Sequence, residues 1–80
     1  MTNEEISNYI RKKIQDICPE QDCSKLDESI PLRDQMKLDS MDFLDLIMFI
    51  REEKNYTVVE EDFHLLVSIE SFVKYLEGKI

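Results

Sequence analysis

The 80-residue chain carries 18 acidic against 10 basic residues, a formal charge of −8, with 42% apolar residues, one glycine, two cysteines and no tryptophan. That length holds one domain, residues 1–80, and its core must be economical because so short a chain buries only about 60% of its unfolded surface. The charge excludes nucleic acid and anionic membranes as partners, no apolar run nears the ~20 residues of a bilayer span, and a lone glycine rules out a phosphate-cradling loop and argues against an all-β fold.

The acidic start, Met1-Thr2-Asn3-Glu4-Glu5, matches neither a secretory signal nor a transit peptide, so a cytoplasmic protein is expected. Thr2 and Glu5 have the spacing of a capping box. Ile6, Tyr9, Ile10, Ile14 and Ile17 then recur at helical spacing, which predicts a first helix over 3–17, stopped before Pro19. Residues 18–38 follow as a long connection with no sustained period, longer than an ordinary loop and therefore functional or internally packed. Ile30, Leu32 and Met36 are expected to pin it to the core. Cys18 and Cys23, spaced C-x4-C, form no disulfide framework, and with His64 as the only histidine they supply no zinc site. They are expected to be two loop thiols in a reducing compartment.

Asp39 is a good helix cap and Asp42 suits the first turn, so a second helix is predicted over 40–54, with Asn55 as a left-handed stop. Thr57-Val58-Val59 is too short for an independent strand and reads as loop. Glu60 to Leu66 predicts a short helical turn carrying Phe63 and Leu66. Ser68 caps a final helix in which Ile69, Phe72, Val73, Leu76 and Ile80 share a face. The fold expected is all-α: a small four-helix bundle with a long loop between helices 1 and 2 and a short third helix.

At 100° per residue the second helix is apolar on two sides. Phe43, Leu46, Ile47 and Ile50 make the ordinary core stripe. Met41, Leu44 and Met48 make another, shared with Asp45 and Glu52. That second stripe serves a partner, covers the long loop, or does both. Ser40 offers a hydroxyl at a helix start, where a phosphodiester is favoured, but on local sequence alone an ordinary helix-starting residue is the simpler reading. No histidine stands near it in sequence and no G-x-S-x-G elbow is present, so a hydrolase nucleophile is not indicated.

The segment Leu38-Asp39-Ser40-Met41-Asp42-Phe43-Leu44-Asp45-Leu46-Ile47 resembles the Asp-Ser-Leu attachment motif and second helix of acyl carrier proteins. The likeness extends over nearly the whole chain in size, acidity, loop length and helix order. It implies a carrier rather than an enzyme. It implies 4′-phosphopantetheine, taken from coenzyme A, on Ser40 beside Asp39, with acyl groups held as thioesters on the arm. Met41, Leu44, Asp45, Met48 and Glu52 fall on the family's partner-binding positions. The implied partners are a phosphopantetheinyl transferase, an acyl- or aminoacyl-loading ligase, and acyltransferase or synthase enzymes, with the carrier itself a monomer. Phe43, Leu46, Ile47, Ile50, Phe63, Leu66 and Ile69 are candidates for an acyl pocket or plain core.

Lys37, Leu38, Arg51 and Lys54 depart from common family residues, with Tyr56 a replacement for the aromatic missing at Lys54. Leu38 is similar to D-alanyl carrier proteins. These features point to a specialised carrier as readily as to the fatty-acid carrier, and an aminoacyl, D-alanyl or peptidyl cargo stays open. Two other classes compete. A calcium sensor fits the acidity and the four methionines, but an EF-hand loop needs Gly at position 6, and from Asp39 that position is Leu44. An unmodified helical interaction domain explains the stripe and leaves Ser40 incidental. Glu60-Glu61-Asp62 reads as solvated surface, and His64 as surface or rim.

Overall fold

A computed structural model describes residues 1–80. The elements are α1 (Asn3–Ile17), a single turn α2 (Leu32–Gln35), α3 (Ser40–Lys54), a 3-10 helix (Glu60–Leu65) and α4 (Ile69–Leu76). No strand forms, and the bundle measures 29 × 24 × 20 Å.

Each long helix starts where its side chains supply what the backbone lacks. The first turn of a helix leaves N–H groups without intrahelical acceptors. At α1 the Thr2 hydroxyl accepts from the Glu5 N–H at 3.1 Å, and the Thr2 N–H donates to Glu5 Oε1 at 2.8 Å. At α4 Ser68 and Ser71 repeat the exchange, and the Ser71 hydroxyl also accepts from the Val67 N–H at 2.9 Å. α3 ends on Asn55 in the left-handed region (φ 54°), a conformation that asparagine tolerates.

α1 packs against α3 and α4 through the stripe Ile6, Ile10 and Ile14, none of which has any exposed surface. From α3 come Leu46, Ile47 and Ile50, and from α4 Ile69, Phe72, Val73 and Leu76. Val58, in the extended stretch after α3, joins the same core. Outside it, Tyr9 ties α1 to α3. Its hydroxyl donates to Glu53 Oε1 at 2.6 Å, while Lys13 Nζ lies 2.9 Å from Glu53 Oε2 and sits over the Phe49 ring.

The long connection is packed, and its polar ties explain how. Three glutamines bridge segments that have no common ladder. Gln15 donates to the Gln21 carbonyl (2.6 Å) and accepts from the Cys23 N–H (3.0 Å). Gln21 exchanges both bonds with the backbone of Lys37, at 2.8 and 2.9 Å. Gln35 does so with Asp27, at 2.8 and 2.9 Å, and also donates to the Ile30 carbonyl. The Leu32 N–H donates to the Val67 carbonyl and the Glu70 N–H to that of Glu28, so the loop is stitched to the start of α4. These ties satisfy backbone groups that a buried loop otherwise leaves unpaired.

Three details differ from the sequence expectation. Residues 32–35 form a helical turn within the loop. Leu32 is buried and Met36 packs against the core, but Ile30 is 41% exposed. The loop is fixed at that point by Gln35 and by the Leu32–Val67 bond, so Ile30 is not needed as an anchor. The cysteines are free loop thiols as expected, and both are also buried. α4 stops at Leu76, where Glu77 leaves the helix and Gly78 takes φ +75°, so Ile80 reaches the core from a turn.

Candidate functional site

α3 begins at an acidic pair. The Asp42 N–H donates to Asp39 Oδ1 at 2.9 Å, and the Asp39 N–H reaches back to Asp42 Oδ2 at 3.3 Å. This exchange fixes Ser40 as the first helical residue, with an exposed side chain. The N–H groups of Ser40 and Met41 belong to the unpaired first turn, which directs donors and a positive dipole end to this corner of the molecule.

Cys18, at the C-cap of α1, approaches the same corner from below. Its Sγ lies 3.8 Å from Asp42 Oδ2. Burial pushes the Cys18 thiol up to about 11, with the Asp42 carboxylate adding to the effect. Cys23 is raised as well, first by burial and then by Asp22. Both thiols are therefore held in the protonated, unreactive form.

A cavity of about 640 Å³ opens beside Ser40, between the α2 turn, the start of α3 and the 3-10 helix. Its more buried lining side chains are Leu32, Leu38, Phe43, Phe63 and Leu66. Arg33, Asp34, Glu60 and His64 are exposed along it, so its polar groups include both signs of charge. Phe43 and Phe63 meet edge to face, with centroids 5.3 Å apart and planes at 74°.

The seven candidates for acyl pocket or core separate in space. Phe43, Phe63 and Leu66 line the cavity. Leu46, Ile47, Ile50 and Ile69 lie in the hydrophobic core and do not line it. Sequence reasoning did not assign Leu32, Leu38, Arg33, Asp34, Glu60 or His64 to this site. Their signal is tertiary: loop and 3-10 helix converge on Ser40 only once the chain is folded.

The outer stripe of α3 is open to solvent. Met41 is 73% exposed, Leu44 51% and Met48 45%, and Asp45 and Glu52 are exposed beside them. Of the three apolar residues, Leu44 also lines the cavity, together with Leu32 and Leu38 of the long loop. Exposed apolar side chains of this size, aligned along one helix and flanked by acids, form a surface of the kind proteins dock on.

No family model matches the chain. It is 32% identical over 73 residues to the acyl carrier protein of Bdellovibrio bacteriovorus, an alignment covering 88% of this chain and 94% of that relative. The chain belongs to the acyl carrier protein family. A carrier role, rather than an enzymatic one, follows for it in general terms. An all-helical bundle fits that membership, and no helix is long and apolar enough to cross a membrane.

Proposed function

We propose that Ser40 carries a 4′-phosphopantetheine arm and that the chain, acting as one carrier domain over residues 1–80, presents acyl groups to partner enzymes. The observation that carries this reading is the exposed Ser40 hydroxyl on the first turn of α3, beside a cavity with a half-apolar lining, in a member of the carrier family. The residues present fit such a group. Free N–H groups of the first turn favour the phosphodiester, and the Asp39–Asp42 exchange holds Ser40 outward without engaging its side chain. When bound, the arm supplies a thiol on which acyl groups are held as thioesters.

The rest is done by this chain's own surface. Met41, Leu44 and Met48 supply apolar area for docking. Asp45, Glu52 and the overall charge speed encounter with basic patches on a phosphopantetheinyl transferase, a loading ligase, and acyltransferase or synthase enzymes. Cys18 and Cys23 are buried and protonated, so they do not compete with the arm for acyl groups. The role fits fatty acid, polyketide or specialised lipid synthesis in the cytoplasm, with the protein a monomer. A second reading, an aminoacyl, D-alanyl or peptidyl carrier, is favoured by Leu38, which lines the cavity, and by the charged side chains around it.

The test is incubation with coenzyme A and a broad-specificity phosphopantetheinyl transferase, read by intact mass. The wild type gains one phosphopantetheine and Ser40→Ala gains none. Modification of Ser40→Ala overturns the assignment.

A further inference from the structure

Two cations stand beside the Ser40 corner without an acid to pair with. Arg33, on the α2 turn, lines both the cavity beside Ser40 and a second hollow of about 870 Å³. Leu38 and Asp39, the two residues before Ser40, also line both. Lys37 lines the second hollow. Both side chains are exposed, and neither enters any of the four ion pairs of the chain. Their backbones are fixed all the same. Lys37 makes both of its backbone bonds to Gln21, and the α2 turn that carries Arg33 is closed by the Met36 N–H on the Leu32 carbonyl at 3.0 Å. Acids outnumber these cations. Asp34, Asp39 and Glu60 line the cavity, and Glu20 and Asp42 the second hollow.

On the carrier reading above, we infer that Arg33, supported by Lys37, binds the phosphodiester of the arm on Ser40 and holds the base of the arm against the α2 turn. A phosphodiester adds a negative charge to a corner where carboxylates already prevail, and like charges repel it there. Arg33 and Lys37 are the unpaired cations lining the two hollows, so they are placed to offset that charge. A guanidinium also presents two parallel N–H donors that match phosphate oxygens. Because both side chains are exposed and unpaired, replacing them with neutral residues leaves the unmodified protein near its wild-type stability. Their effect is confined to the modified form.

The experiment prepares the wild type, Arg33→Gln, the Arg33→Gln/Lys37→Gln double variant and Arg51→Gln, each unmodified and after transfer of phosphopantetheine from coenzyme A. Arg51 is a matched control: it is exposed and outside every ion pair, and it stands about 16 Å along α3 from Ser40. Intact mass verifies the transfer. Thermal midpoints are measured at pH 8, where a histidine such as His64 is ordinarily neutral, and at about 0.1 M salt, where charges act over roughly 10 Å. Each modified protein is referred to its own unmodified form. On that scale the midpoint of modified Arg33→Gln falls below that of the modified wild type by roughly 1–6 °C. The double variant falls further, Arg51→Gln matches the wild type, and about 1 M salt removes most of the difference. In nitrogen-15 spectra of the wild type the Arg33 Nε–H resonance moves on modification and that of Arg51 stays. Modification that shifts the wild type and the double variant equally overturns the inference, as does an Arg51→Gln protein that behaves like Arg33→Gln. Absence of any mass gain in the wild type is a different failure: it removes the carrier reading, and this inference with it.

Discussion

The Cys18 thiol lies 3.8 Å from the Asp42 carboxylate, which places the end of α1 against the cap of α3. The contact joins two elements separated by the whole long loop and sets one face of the Ser40 corner. It also has a chemical result. A buried thiol beside a carboxylate is disfavoured as thiolate, and the thiolate is the reactive form. In the unmodified protein Cys18 is therefore expected to resist iodoacetamide at pH 8 and to label quickly in guanidinium chloride. Labelling of the native protein at the rate of an exposed thiol contradicts this contact.

Asp39 contributes to stability through the cap. Its carboxylate satisfies the Asp42 N–H, and loss of such a cap costs about 1 kcal/mol. Asp39→Ala is expected to lower the thermal midpoint by roughly 4–8 °C. Asp39→Asn, which keeps an acceptor oxygen, is expected to keep most of it. Equal losses in both variants, measured by circular dichroism, attribute the effect to charge instead.

Leu44 and Leu46 stand two residues apart on α3 and do opposite work. Leu46 is fully buried, and Leu46→Ala is expected to cost about 2–5 kcal/mol through the cavity it leaves. Leu44 is half exposed, and Leu44→Ala is expected to change stability by no more than about 0.5 kcal/mol. It should nonetheless slow modification by a transferase that docks on the outer stripe. Chemical denaturation gives the first pair of values and a transfer time course the second. A destabilised Leu44→Ala protein with a normal transfer rate reverses the assignment of faces.

Acid sensitivity follows from the loop. Ser24 donates its hydroxyl and N–H to Asp22, and Ser29 does the same to Asp27; both carboxyls are held below their ordinary range. A carboxyl depressed in the folded state stabilises above its unfolded pKa, and the effect is lost as pH falls through its folded pKa. Stability is thus expected to hold at pH 6 and to decline below about pH 4, the ordinary carboxylate range. In Ser24→Ala and Ser29→Ala the Asp22 and Asp27 titrations, followed by NMR, should move upward. Unchanged midpoints show that these hydrogen bonds are not what holds the two groups low.

Much of this arrangement is local in the sequence, and of the non-local part only the packing of Leu32 and Met36 onto the core is legible there. Thr2 with Glu5, Asp39, Ser68 and Asn55 announce helix ends because caps act within one turn. The two apolar sides of α3 follow from spacing alone, as Met41 and Leu44 against Leu46 and Ile50 show. Gln15, Gln21 and Gln35 leave no such mark, because a side-chain amide bonding to a distant backbone has no period. The division between cavity and core was equally hidden. Phe43 and Ile47 lie on one stripe, yet only Phe43 lines the cavity, because the 3-10 helix brings Phe63 against it. Ile30, an apolar residue in the long loop, is expected as an anchor, but polar ties fix its segment and leave it exposed.

Attachment at Ser40 is tested by peptide-level mass spectrometry of the protein after transfer from coenzyme A. Phosphopantetheine is expected on the peptide containing Asp39-Ser40-Met41, and on no other serine. Phosphopantetheine at a different residue, or none with a transferase shown to be active on a known carrier, contradicts it.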